Sequence, residues 1–228
     1  MSKENQNLQE QATEKGVVPF LNKHGKKLVA ALIVVVLAVG GWYAYREYVV
    51  KPREAKAAAM LTAAISHIEA TPADYEAALE GDASTAGILA VIKEYGKTAA
   101  GNLANHFAGL CYLRLGDLDA AESYLAKYKA VKGIPASVIN SQNHALRGDV
   151  AVEKGDYEAA VAHYRKAVGA ANNSYSTPYY LNKLGLALKA CGEVNEAKNC
   201  FERIRADYPK SYEAQTADYN IGQLAMPR

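Results

Sequence analysis

Three stretches of this chain share one frame, and a repeating frame constrains a fold more tightly than any single helix or motif. GLCYLRLGDLDAA (109–121) lies over GDVAVEKGDYEAA (148–160) and over GLALKACGEVNEA (185–197). In each, two glycines stand seven residues apart, an acid follows the second, and an alanine lies five beyond it. A bulky residue comes four later, at Leu125, Tyr164 and Phe201. Paired helices explain this spacing. Glycine inside a helix costs about 1 kcal/mol against alanine, so Gly109, Gly148 and Gly185 are expected where a second helix comes close. Gly116, Gly155 and Gly192 are expected to end the first helix in the left-handed conformation, with the following acid at the start of the next. Ala121, Ala160 and Ala197 then admit the first helix at short range, and the bulky residue fills the remaining gap.

The pattern resembles the tetratricopeptide repeat, whose Gly…Tyr…Ala-x-x-x-Phe…Pro signature is carried best between Gly185 and Pro209. It departs in length, with offsets of 148 − 109 = 39 and 185 − 148 = 37 against about 34 for the standard unit. Longer loops are therefore expected at 131–136 and 169–178. The tryptophan that often opens the motif is absent. Residues 95–109 also lie over residues 208–222 at a constant offset of 113, so the last stretch reads as the first helix of a further repeat, in the place of a capping helix. Residues 53–70 and 86–94 have helical composition and are expected to form a degenerate first hairpin, interrupted by an insertion at 72–85.

Residues 28–45, LVAALIVVVLAVGGWYAY, run without a charge for about the length that crosses a hydrocarbon layer of roughly 30 Å as a helix. Lys23, Lys26 and Lys27 flank the start, while Trp42, Tyr43, Tyr45, Tyr48 and Arg46 cluster at the far end, as side chains at a membrane interface do. The alternative is a cleaved signal peptide with its cut near Ala38-Val39-Gly40, but the apolar run is longer than a signal core of about 7–15 residues. Basic residues flank both sides almost equally. The tight lysine pair favours a cytoplasmic N-terminus, because a long C-terminal domain translocates largely regardless of charge.

The expected fold is therefore all-α: a single N-terminal transmembrane helix, then a tetratricopeptide-type α-solenoid. The organisation reads as a disordered cytoplasmic tail at 1–22, a transmembrane anchor at 23–50, a linker helix with the degenerate hairpin at 51–100, and repeats with a capping helix at 101–228.

Charge excludes one class of partner. Residues 1–56 hold nine Lys and Arg against five acids, and residues 57–228 hold seventeen against nineteen. The slightly acidic body lacks the basic footprint of a nucleic-acid binder. Cys111, Cys191 and Cys200 show no metal-ligand spacing and read as buried small hydrophobes, with a Cys191–Cys200 bridge left open for an oxidising compartment. The five histidines are scattered singly. His106 and His144 stand 38 apart and are expected at similar places in successive hairpins. No nucleophile elbow, phosphate loop or dinucleotide fingerprint occurs, and the acids after Gly116 and Gly155 suit helix starts, so no catalysis, cofactor, metal or small-molecule substrate is expected.

What remains is a face built by the first helix of each hairpin, concave in the tetratricopeptide arrangement. The first repeat is expected to contribute His106, Phe107, Leu110, Leu113 and Arg114, and the second Gln142, Leu146, Asp149 and Glu153. The third adds Tyr179, Asn182, Lys183, Leu186 and Lys189, and the cap Tyr219, Asn220 and Gln223. Mixed charge with aromatics and amides suits an extended peptide or a partner helix.

The layout resembles the YfgM type of cell-envelope protein, most closely over residues 78–109, with ALEGD and GKTAAGNLAN. That resemblance implies a single-pass protein of the bacterial inner membrane, its repeats in the periplasm, associated with the SecYEG translocon and a PpiD-like chaperone. Receiving or handing on exported polypeptides would be its work. The alternative is a structural assembly factor that scaffolds an envelope complex without binding clients.

Overall fold

The computed structural model describes residues 3–171 and 173–224, and apart from one isolated bridge between Gly81 and Ala86 its regular structure there is helical. Two compact units emerge, Met1–Arg53 and Glu54–Arg228.

In the first unit, α1 (Lys3–Tyr45) leads into a π-helical turn, Arg46–Val50, and then into the start of α2 (Lys51–Glu69). The tail expected to be disordered lies inside α1 from Lys3 onward, consistent with the helix propensity of its Gln, Glu and Lys; Met1 and Ser2 lie outside the described residues. The large apolar side chains from Leu28 to Val39 are 45–69% exposed. So much uncovered hydrocarbon calls for a non-aqueous surrounding, and this helix is long and apolar enough to cross a membrane. At its far end the Arg46 guanidinium sits 5.6 Å from the centre of the Trp42 ring.

In the second unit, three helical hairpins follow the glycine frame: α5 (Ala99–Leu115) with α6 (Leu118–Lys127), α7 (Ile134–Glu153) with α8 (Tyr157–Ala170), and α9 (Ser176–Cys191) with α10 (Val194–Asp207). A Cβ on Gly109 would lie 2.5 Å from Leu125 Cγ, one on Gly148 2.5 Å from the Tyr164 ring, and one on Gly185 2.7 Å from the Phe201 ring. Only glycine permits those crossings. Ala121, Ala160 and Ala197, beside them, are fully buried. Gly116 (φ 83°) closes α5 in the left-handed region, and the Asp117 N–H reaches back to the Tyr112 carbonyl at 3.0 Å; Gly155 and Gly192 repeat the device. Asp117 and Asp156 cap the next helices by accepting from the N–H groups of Ala120 and Ala159 at 3.0 and 2.9 Å. Glu193 makes no such bond. Its extra methylene makes it a poorer cap than aspartate.

Side-chain amides pin the long connection after α6. Asn102 donates to the Lys129 carbonyl and accepts from the Lys129 N–H, both at 2.8 Å, while Asn140 donates to the Val131 carbonyl at 2.8 Å and accepts from the Val131 N–H at 3.2 Å. Each amide replaces a missing backbone partner, which a loop needs when it packs against helices. The second long connection, in which Asn172 lies outside the described residues, is held by Asn173, whose Oδ1 accepts from the Tyr175 and Ser176 N–H groups at 3.0 and 2.7 Å. The final helix, α11 (Tyr212–Leu224), starts 113 residues after α5 and covers the α9–α10 core with Ala217, Ile221 and Leu224. Residues 225–228 of the expected repeat region lie outside the described residues.

The insertion at 72–85 takes part in the core: Asp74 accepts from the Ala77 N–H at 2.8 Å and caps α3 (Tyr75–Glu80), which buries Ala78 and Leu79 in the same cluster as Leu61 of α2, Val91 of α4 (Ile88–Tyr95) and Ala104 of α5. The following loop turns on Asp82, whose Oδ1 accepts the N–H and hydroxyl of both Ser84 and Thr85 at 2.7–3.0 Å. Those bonds hold its carboxyl well below the usual aspartate range. All three cysteines are free, and burial pushes the thiols of Cys111 and Cys200 up to about 12 and about 11, away from reactivity.

Candidate partner-binding face

Helical spacing places Gln142, Leu146, Asp149 and Glu153 along one side of α7, and Tyr179, Lys183 and Leu186 along one side of α9. Two cavities open on those sides. The first, about 550 Å³, is lined by Leu113 and Arg114 of α5, Asp149, Val152 and Glu153 of α7, Tyr157 and Tyr164 of α8, and Lys183 and Leu186 of α9. The structure thus brings together six of the expected residues, from three successive hairpins.

Charge in this cavity is balanced internally. The Lys183 ammonium lies 2.7 Å from Asp149 Oδ1, to which the Tyr164 hydroxyl also donates at 2.6 Å. Burial alone would lower the Lys183 pKa, but the Asp149 charge and hydrogen bond outweigh it and the pKa rises. Burial, then the same carboxylate, pushes the Tyr164 phenol up, so it stays a donor. Tyr164 therefore has two tasks: its ring fills the gap left by Gly148, and its hydroxyl orients the acid in the groove.

The second cavity is larger, about 960 Å³, and lies toward the N-terminal ends of α7 and α9. Gln142 and Tyr179 belong to the expected face, but most of the wall was missed: Tyr175, Tyr180, Tyr208, Pro209 and Tyr212, with Val138, Asp207, Lys210 and Glu213. Tyr175 and Tyr212 are 91% and 75% exposed. Large rings held open to solvent are a feature of recognition surfaces. The abundance of tyrosine was the signal that could have found them, yet several sit at helix junctions where helical periodicity assigns no face. Lys183 of the first cavity lies next to the second, its ammonium 5.1 Å from the centre of the Tyr179 ring.

Other expected positions fall elsewhere. His106 and Leu146 are buried, at 0% and 6% exposure, and are not groove residues. His106 stands three before Gly109 whereas His144 stands four before Gly148, and one residue turns a helix by about 100°, so the two histidines are not equivalent. In the glycine frame the counterpart of His106 is Ala145, which is also buried. The His106 ring packs edge-on to Phe107 at 5.2 Å, and burial pulls its pKa down to about 4. Phe107 and Leu110 are half-buried against core clusters. Asn182 accepts from the Asn220 side chain at 3.1 Å, tying α9 to α11, while Tyr219 is exposed and Lys189 and Gln223 are part-buried.

Comparison with known proteins agrees with the helical hairpins. A tetratricopeptide repeat model matches residues 104–131 and 141–174, and a second tetratricopeptide repeat model matches residues 181–211. The curated proteins contain no match to the chain.

Proposed function

Because this chain carries tetratricopeptide repeats, modules that hold other proteins, we propose that it is a membrane-anchored adaptor whose repeats grip an extended segment of a partner along α7 and α9. The observation that carries this reading is the pair of cavities on the same sides of those helices, one aromatic and one charged, with Lys183 of the charged one next to the aromatic one. An extended peptide crossing both would set apolar side chains among the tyrosines and polar ones near Asp149, Lys183, Arg114 and Glu153. The tetratricopeptide repeat is a protein-interaction module, and the reading is non-enzymatic.

We place the adaptor, by its resemblance to the YfgM type, in the bacterial inner membrane with the repeats in the periplasm. There it serves the SecYEG translocon, together with a PpiD-like chaperone, and receives exported polypeptides. The exposed apolar stretch of α1 supports the tether. The test is photo-crosslinking in living cells, with a photo-reactive residue replacing Arg114 or Lys183 of the full chain. Recovery of translocon subunits, the chaperone or nascent exported chains is the expected result. Products made only with other envelope components would move the assignment to a scaffold of an envelope complex, and products from outer-face probes alone would overturn the groove.

A further inference from the structure

Away from that face, α7 and α8 meet along a seam that is basic on both sides. The contact of Gly148 with Tyr164 fixes the register, and it brings His144 and Arg147 of α7 beside His163 and Lys166 of α8. Among the described residues four buried side-chain nitrogens lack a hydrogen-bond partner, and three of them belong to this seam: His144 Nδ1, Arg147 Nε and His163 Nδ1. A neutral imidazole donates from one ring nitrogen and a protonated one from both. Glu122 of α6, an acid whose charge reaches His163, is already committed to Lys154 at 2.7 Å. Two fixed cations and two imidazole donors thus share a site while that carboxylate is engaged elsewhere, an arrangement that lacks its counter-charge.

We propose that His144, Arg147, His163 and Lys166 form a binding site for a tetrahedral oxyanion of the phosphate class. A dianion matches the two permanent charges, and planar guanidinium recognition suits such oxygens. In the free protein burial first, then Arg147 and Lys166, lower the pKa of His144; the same groups and His144 itself bring His163 down to about 4, against a small opposing effect of Glu122. Bound anion reverses the sign of the local field, so both rings take up protons on binding, and binding strengthens as pH falls.

The experiment follows the histidine ring resonances by NMR in the full chain, held in phosphatidylcholine nanodiscs. Sulfate, which stays dianionic across the titration, is compared with chloride at matched ionic strength. The expected result is an upward move of both midpoints in sulfate, with His163 rising by about one unit or more. Arg147→Gln and, should that variant fold poorly, the exposed Lys166→Gln both abolish the move, whereas Lys198→Gln on α10 leaves it unchanged. If soluble sulfate is silent but phosphatidic acid, whose phosphomonoester can carry two charges, moves both rings when added to the discs, the oxyanion is a lipid headgroup; if soluble sulfate alone suffices, it is a free anion. No move with either probe, or one that survives both seam variants, overturns the site.

Discussion

The three glycine-framed hairpins and the segment before them reach the same end, a buried helical layer, by different physics. From α5 to α10 each hairpin is closed by one knob seated in the gap of one glycine, and the same contact recurs at Leu125, Tyr164 and Phe201. From α2 to α4 no such device recurs. There the layer is completed by a capped turn, α3, and by a loop wound around the Asp82 carboxylate. A repeated contact lets side chains vary within a fixed backbone frame, while a single polar loop depends on one residue.

The sharpest way to break this contrast is to remove a knob. Phe201→Ala leaves a cavity opposite Gly185 and should cost about 3–5 kcal/mol, read as a lowered urea midpoint with loss of α9–α11 protection in hydrogen exchange. Next is acid. His106 is buried neutral with its pKa near 4, so the unfolded chain binds a proton before the folded one does. Stability is then fully present above about pH 6.5 and is lost as pH falls toward 4, by up to about 3 kcal/mol from this residue. His106→Met should flatten that part of the pH profile in denaturation at pH 7 and 4.5. Equal slopes in both proteins would remove His106 from the account.

Glycine replacements sharpen the comparison further. Gly148→Ala or Gly185→Ala drives a methyl into the knob and should cost about 1–3 kcal/mol, although alanine is the better helix former. Gly169→Ala and Gly222→Ala, where a Cβ meets nothing, should instead gain about 0.5–1 kcal/mol. A uniform gain at all four would show that the close crossings do not govern the frame. The smallest global effect is expected from Asp82→Ala. It should speed amide exchange at Ser84 and Thr85 several-fold while leaving α5–α10 unchanged, since the acid's partners lie in its own loop and, at 3.6 Å, in His67 of α2.

Helical period made part of the candidate face legible: Asp149, Glu153, Lys183 and Leu186 line one cavity together, while Leu146 on the same side of α7 is buried. It was illegible at the junctions, where Tyr175, Tyr208 and Tyr212 are brought together by loop paths. His106 misled because its spacing from His144 is near the repeat length but one residue out of frame.

By itself the sequence determined the hairpins, their limits and their crossings. Those depend on local rules, glycine at a left-handed stop and glycine under a bulky residue sixteen positions later, and local rules can be read along a chain. The uncharged run of residues 28–45 is likewise seen along the chain to be long and apolar enough to cross a membrane. Only the tertiary structure decided that α3 belongs to the core, that five tyrosines surround one cavity, and that two histidines join an arginine and a lysine at the α7–α8 seam. These are meetings between residues of different elements, set by how helices stack and loops return, and a one-dimensional pattern holds no term for them.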